Sequence, residues 1–140
     1  MKQIGVGILG FGTVGAGVAE GLLNHREVMA HRLGVDIALK KIADLDIVSD
    51  RGFKVPDGVL TTDAAAVIAD PEINIVVETI GGTGVAKKFV LDALNARKCV
   101  VTANKKLLAE HGAEIFDTAA KNNVDIYFGA SVGGGIPIIR

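Results

Sequence analysis

Ile4-Gly5-Val6-Gly7-Ile8-Leu9-Gly10-Phe11-Gly12-Thr13-Val14-Gly15 is the stretch whose reading decides the fold. An apolar run ends in Gly10-x-Gly12-x-x-Gly15 and opens at once into a helix-like segment. Each glycine has a physical task. Gly10 permits a tight turn, Gly12 lets a diphosphate approach bare backbone, and Gly15 lets the helix pack closely on the strand. The helix start offers unpaired amides and the positive end of the helix dipole, and both favour phosphate. Gly10, Phe11, Gly12, Thr13, Val14 and Gly15 are therefore candidate contacts for a dinucleotide. The competing reading is a glycine-rich turn with only a structural task.

The rest of the chain alternates strand and helix patterns. Strands are expected over 3–9, 35–43, 73–80, 98–102 and 124–130. Helices are expected from Thr13 to about Asn24, after Asp63 to about Ile68, along Ala86, Phe89, Val90, Ala93 and Leu94, and from Lys105 to about Lys121. Residues 25–34 read as a loop or helix end. Residues 45–58 carry turn chemistry and read as a surface excursion. The strands are mostly continuous apolar runs, which argues for a parallel sheet buried on both faces. The fold class is α/β: a doubly wound, mostly parallel sheet of the Rossmann type, with residues 1–140 forming one dinucleotide-binding domain.

Composition narrows the function classes. The 140 residues are 49% hydrophobic and 22% charged, with a formal net charge of −1. That balance suits a packed core and gives no bulk attraction to nucleic acid or to an anionic membrane. No segment reaches 18 uninterrupted apolar residues, so no membrane span is expected. Met1-Lys2-Gln3 leads straight into a strand rather than into a signal sequence. Cys99, the single cysteine, fits a reducing compartment, and a cytoplasmic protein is expected. His25, His31 and His111 are scattered, and none reads as a metal or catalytic residue.

In a doubly wound sheet, ligands bind beyond the carboxyl ends of the strands. Asp44 follows the second strand, where a carboxylate can accept ribose hydroxyls and repel a 2′-phosphate. That would favour NAD over NADP, with Lys40 and Lys41 lending some tolerance for the phosphate. Asp44 lies farther past the glycine run than the usual ~20 residues, and Asp46 competes for the same task. Thr79 stands at the end of the strand at 73–80 and Gly81 just after it, and Asn104 and Lys105 follow the strand at 98–102; all four are candidate cofactor contacts. Lys105 stands at a helix start, where its charge opposes the dipole. A cation in that place suits contact with a substrate carbonyl or with the cofactor, so Lys105 is the catalytic candidate. A solvent-facing lysine is its plain alternative.

At these residues the chain resembles the N-terminal, nucleotide-binding part of homoserine dehydrogenase. The resemblance rests on the glycine run, on Val76-Val77-Glu78-Thr79-Ile80-Gly81-Gly82, on Val100-Val101-Thr102-Ala103-Asn104-Lys105, and on Ala130-Ser131-Val132-Gly133-Gly134-Gly135-Ile136-Pro137-Ile138-Ile139. It implies NAD(P)-dependent interconversion of L-homoserine and L-aspartate 4-semialdehyde, in threonine, methionine and isoleucine synthesis. Lys105 then lies where cofactor and substrate meet. The backbone oxygens of Val132, Gly134 and Ile136 match positions that hold a monovalent cation such as Na⁺, although Gly129 stands where the family usually has a glutamate. The family's substrate-binding and oligomer-forming region follows the segment matched here. The resemblance thus implies a homodimer or homotetramer built through that region, and an isolated cofactor domain that is inactive alone. The rivals are the cofactor domain of another two-domain dehydrogenase, a non-catalytic NAD(H)-binding sensor and a methyltransferase. Sugar oxidoreductases carry Glu-Lys-Pro where this chain has Ala103-Asn104-Lys105. An aspartate semialdehyde dehydrogenase would need a cysteine nucleophile outside a strand.

Overall fold

The computed structural model describes residues 1–128. Among these residues six parallel strands form one sheet in the order β3-β2-β1-β4-β5-β6. These are β1 (Gln3–Leu9), β2 (Asp36–Ala43), β3 (Leu60–Thr61), β4 (Ile75–Glu78), β5 (Cys99–Thr102) and β6 (Ile126–Tyr127). Among the described residues five helices connect them: α1 (Thr13–Asn24), α2 (Arg26–Leu33), α3 (Ala64–Ala69), α4 (Val85–Asn95) and α5 (Lys105–Lys121). The strand order reverses at β1, which pairs with β2 on one side and β4 on the other. Right-handed crossovers from such a point send helices to opposite faces and leave a crevice at the carboxyl ends of β1 and β4.

The apolar strand runs are buried on both faces, as a covered parallel sheet requires. One core joins Val6, Ile8, Phe11, Ile42 and Val77 to Ala19 and Leu22 of α1. The other joins Leu9, Val76 and Val100 to α3, α4 and α5 through Val67, Val90, Leu94, Leu107 and Ile115.

Four elements differ from the sequence expectation. Residues 26–33 form a helix rather than a loop. Its residues are all at least partly exposed, so it lacks the apolar periodicity that marks a core-facing helix. Its signals are local instead: Glu27 in the first turn, His31 and Arg32 in the last, and Gly34 closing it with a positive φ of 73°. β3 was not anticipated. It has two residues, which pair with Ile42 and Ala43, and no pattern is legible at that length. β4 stops at Glu78, so Thr79 and Ile80 belong to the turn that follows. β6 is confined to Ile126–Tyr127 within the expected 124–130. No helix among the described residues is long and apolar enough to cross a membrane.

Candidate functional site

The glycine turn lies at the carboxyl edge, at the point where the strand order reverses. Gly10 has φ of 102°, a left-handed conformation that a side chain would strain. Its amide donates to Ala43 O at 2.8 Å. The Thr79 hydroxyl lies 3.0 Å from Leu9 O and 2.9 Å from Gly10 O, which fastens the turn to the end of β4. A Cβ at Gly15 would overlap Gly10 O, whereas a Cβ at Gly12 would meet nothing within 4 Å. Gly15 thus lets α1 rest on the turn, and Gly12 leaves the approach to its amides open.

Gly12 also caps α1 without any side-chain acceptor. By contrast, Asp63 caps α3 through Ala66 N–H, and Asn104 caps α5 through Leu107 N–H. The opening amides of α1 are therefore available to an outside anion. Thr13 and Val14 are exposed there. Phe11 turns inward: its ring is buried and meets Phe53 edge-on at 6.1 Å. Its role is to prop the loop, with its amide and carbonyl committed to Asp44 and Arg51.

Asp44 holds the loop from the β2 side. Its Oδ2 accepts from Phe11 N–H at 2.6 Å and its Oδ1 from Asp46 N–H at 2.8 Å. A carboxylate has about four lone-pair positions, so both oxygens keep capacity for a ribose hydroxyl. Asp46, the competitor, is committed to its own turn. It accepts from the amides of Val48 and Ser49 and from the Ser49 hydroxyl. The Ser49 bonds, aided by the nearby Arg51 charge, hold its carboxyl down at about 2.

Between these groups runs a cleft of about 640 Å³, bounded by Gly10, Gly12, Asp44, Thr79, Ile80 and Phe89 among others. That size suits a small organic ligand. Exposed Leu45, Ile80 and Val85 give it apolar walls that a flat ring could cover. At the β4–β5 side, Gly81 and Gly82 both take positive φ, and Asn104 Nδ2 donates to Gly82 O at 2.6 Å. Lys105 follows as the first residue of α5, exposed and without a partner among the described residues. So the glycine turn, Asp44, Thr79, Gly81, Asn104 and Lys105 all sit along one edge.

Other residues weighed from the sequence lie elsewhere. Lys40 pairs with Glu72, and Lys41 donates to Gly58 O. His25 links α1 to α2, and His111 marks a kink inside α5. Among the described residues no group of three or more His, Cys, Asp or Glu could hold a metal. Val132, Gly134 and Ile136, the expected cation ligands, lie outside the described residues, as does Gly129.

Two side chains were not singled out from the sequence. Arg51 folds back from the 45–58 excursion. Its Nε donates to Phe11 O at 2.6 Å, and its guanidinium stacks on the Phe11 ring at 4.9 Å. It borders a second cavity of about 440 Å³ beside Gly12 and Thr13. Its place beside Asp46 and Asp50 in a turn-rich stretch, with Lys54 close by, gives it no distinct sequence signal. The other is Glu78, a carboxylate only 1% exposed beneath the 79–82 turn.

A model of the homoserine dehydrogenase NAD-binding domain matches residues 10–129. The chain belongs to the homoserine dehydrogenase family. Homoserine dehydrogenase from Bacillus subtilis is 46% identical over 140 residues, covering 100% of this chain and 32% of the relative. The crystal structure of a homoserine dehydrogenase from Thiobacillus denitrificans superposes with a TM-score of 0.88 at 44% identity, over 99% of this chain and 32% of that one. A hyperthermophilic archaeal homoserine dehydrogenase in complex with NADPH superposes at 0.71 with 25% identity, over 93% of this chain and 44% of that one. This chain spans about a third of the length of the curated relatives it matches. The family resemblance read from the glycine run and the Thr-Ala-Asn-Lys segment agrees with these matches, and so does the NAD-binding assignment.

Proposed function

We propose that the chain is the cofactor-holding part of an NAD(P)-dependent homoserine dehydrogenase, which interconverts L-homoserine and L-aspartate 4-semialdehyde. The observation that carries the reading is the open, uncapped start of α1 at the reversal point of a parallel sheet, with Lys105 across the same edge. A bound nicotinamide supplies or accepts the hydride. The chain's own residues do the rest. The opening amides of α1 hold the diphosphate. Asp44 accepts a ribose hydroxyl at the β2 side, which sets the adenosine end there and the nicotinamide end at the β4–β5 side. Thr79, Gly81 and Asn104 shape that second end. Lys105 presents its ammonium where the substrate oxygen changes between carbonyl and alcohol, and it stabilises the negative charge that develops on that oxygen. An amino-acid substrate needs further contacts of its own. Turnover is therefore assigned to the whole enzyme, as a homo-oligomer, and the 140 residues alone bind cofactor without oxidising homoserine.

Calorimetric titration of the chain with NADPH, NADH and S-adenosylmethionine tests the reading. Binding of a nicotinamide dinucleotide and not of the sulfonium ligand is expected. Preference for S-adenosylmethionine would overturn it.

A further inference from the structure

Glu78 is a buried carboxylate that this mechanism leaves unused. It ends β4 at the centre of the sheet, and its carboxylate is 1% exposed. Among the described residues it forms no ion pair. Burying a carboxylate is costly unless donors replace its water, and here they converge from two loops. Oε2 accepts the amides of Ile80 and Gly81 at 2.9 and 3.0 Å. Oε1 accepts the Thr102 hydroxyl at 2.5 Å, from the end of β5. Thr102 Oγ1 in turn accepts Asn104 N–H at 3.1 Å. Asn104 caps α5 with its Oδ1 and returns to the first loop through Nδ2 and Gly82 O. The bonds close a ring: Glu78, Thr102, Asn104, Gly82, and back along the chain to Gly81.

That ring joins the 79–82 turn to the first residues of α5. An apolar replacement of equal volume would fill the space but remove the carboxylate oxygen that accepts the Ile80 and Gly81 amides and cut the link to Thr102. Only an acceptor with two oxygens serves both loops at once. We infer that Glu78 is a positioning residue: it fixes the nicotinamide end of the cleft, the 79–82 turn and Lys105, as one rigid unit. The inference rests on the cofactor reading above. The adenosine end, held by Asp44 and the α1 amides, lies outside the ring.

The division between the two ends supplies the test. ADP-ribose carries the adenosine half, the diphosphate and a ribose, but no nicotinamide. NADPH and NADH carry the ring as well, and their fluorescence reports its surroundings. Glu78→Gln keeps one acceptor and turns the other into a donor facing Thr102, which reverses that bond and takes the carboxylate acceptor from the Thr102 hydroxyl. The chain with Glu78→Gln is expected to bind ADP-ribose within about twofold of the unaltered chain. It should bind the reduced dinucleotide about tenfold more weakly and lose the fluorescence enhancement of the bound nicotinamide. Thr102→Val should shift the dinucleotide in the same direction by less, and Thr102→Ser should restore it. Unchanged dinucleotide binding and fluorescence in Glu78→Gln would overturn the inference. Equal losses of ADP-ribose and dinucleotide would also overturn it, by showing a merely structural role. If the unaltered chain binds neither ligand, the cofactor reading itself falls and takes this inference with it.

Discussion

Helix α1 contains three glycines in different surroundings, and they should respond to alanine with opposite signs. Glycine inside a helix costs roughly 0.8–1 kcal/mol relative to alanine. At Gly21 an added Cβ meets nothing within 4 Å, so Gly21→Ala should recover most of that difference. Gly17 is equally open but borders the smaller cavity, which makes Gly21 the cleaner control. At Gly15 the Cβ would overlap Gly10 O and lie 2.7 Å from Thr79 Oγ1. Overpacking costs about 1–3 kcal/mol. The obstruction here is backbone, which cannot rotate away, so the upper half of that range applies. Subtracting the propensity gain leaves Gly15→Ala destabilising by about 1–2 kcal/mol. An unfolding entropy of ~2.1 cal/mol/K per residue makes 1 kcal/mol worth about 3 °C in a chain of this size. Thermal melts followed by circular dichroism should rise by about 3 °C for Gly21→Ala and fall by about 3–7 °C for Gly15→Ala. Guanidinium unfolding should move its midpoint in the same sense with an unchanged slope. Dinucleotide affinity should fall for Gly15→Ala alone. A Gly15→Ala chain that melts at or above the unaltered protein would refute the claim that α1 rests on the glycine turn.

Asp36, held down to about 2 by its bonds to Arg26 and Gln3, contributes stability that is complete above its ordinary value of 3.8 and is lost as pH falls through about 2. Melting temperature should therefore drop between about pH 4 and 2, and Asp36→Asn should remove part of that drop, the rest following Asp46 in the same window. Lys98 is buried and donates to Asp70 O and Ile73 O at 2.7 and 2.6 Å. Lys98→Met should take the buried donor from Ile73 O, leave Asp70 O with the Ile73 amide, and lower stability by about 1–3 kcal/mol in a denaturant titration, without changing dinucleotide affinity. Asp44→Asn should weaken NADH binding more than NADPH binding in paired titrations, since a ribose hydroxyl is lost to one and a repulsion is relieved for the other. Equal losses would show that Asp44 serves only the loop. Arg51→Ala should weaken NADPH more than NADH, because Arg51 is the cation bordering the cavity beside Gly12 and Thr13. Equal affinities would remove it from cofactor choice.

The parts of the fold that were legible in the sequence are those where a local pattern meets a buried face. The β1–turn–α1 unit has an apolar run, three glycines at fixed spacing, and Val18 and Leu22 facing the core. The end of β5 is equally clear, because a β-branched run stops before Asn104, a helix-capping residue, whereas the apolar run on to Ile80 hides the earlier end of β4 at Glu78. What escaped was set by tertiary contact. β3 exists because Leu60 and Thr61 find Ile42 and Ala43. Glu78 reads as one polar residue in an apolar run, and only the convergence of three donors shows why it is there. Arg51 sits in a turn-rich stretch whose composition signals exposure, yet its side chain lies over Phe11 and is 16% exposed.

The same contacts explain how so glycine-rich a loop can serve as a binding surface. Glycine turns are entropically expensive to hold in one shape, and a loose loop would charge that ordering cost to ligand affinity. Here the turn is anchored from three directions far apart in sequence. Asp44 takes the Phe11 amide, Thr79 holds the Gly10 carbonyl, and Arg51 takes the Phe11 carbonyl while stacking on its ring. None of these bonds uses the opening amides of α1. The anchors fix the turn through its other groups, so the opening amides of α1 are held in place while staying uncapped by any side chain. Phe11, between the first two glycines, thus ties the turn together through its buried ring and its committed amide and carbonyl.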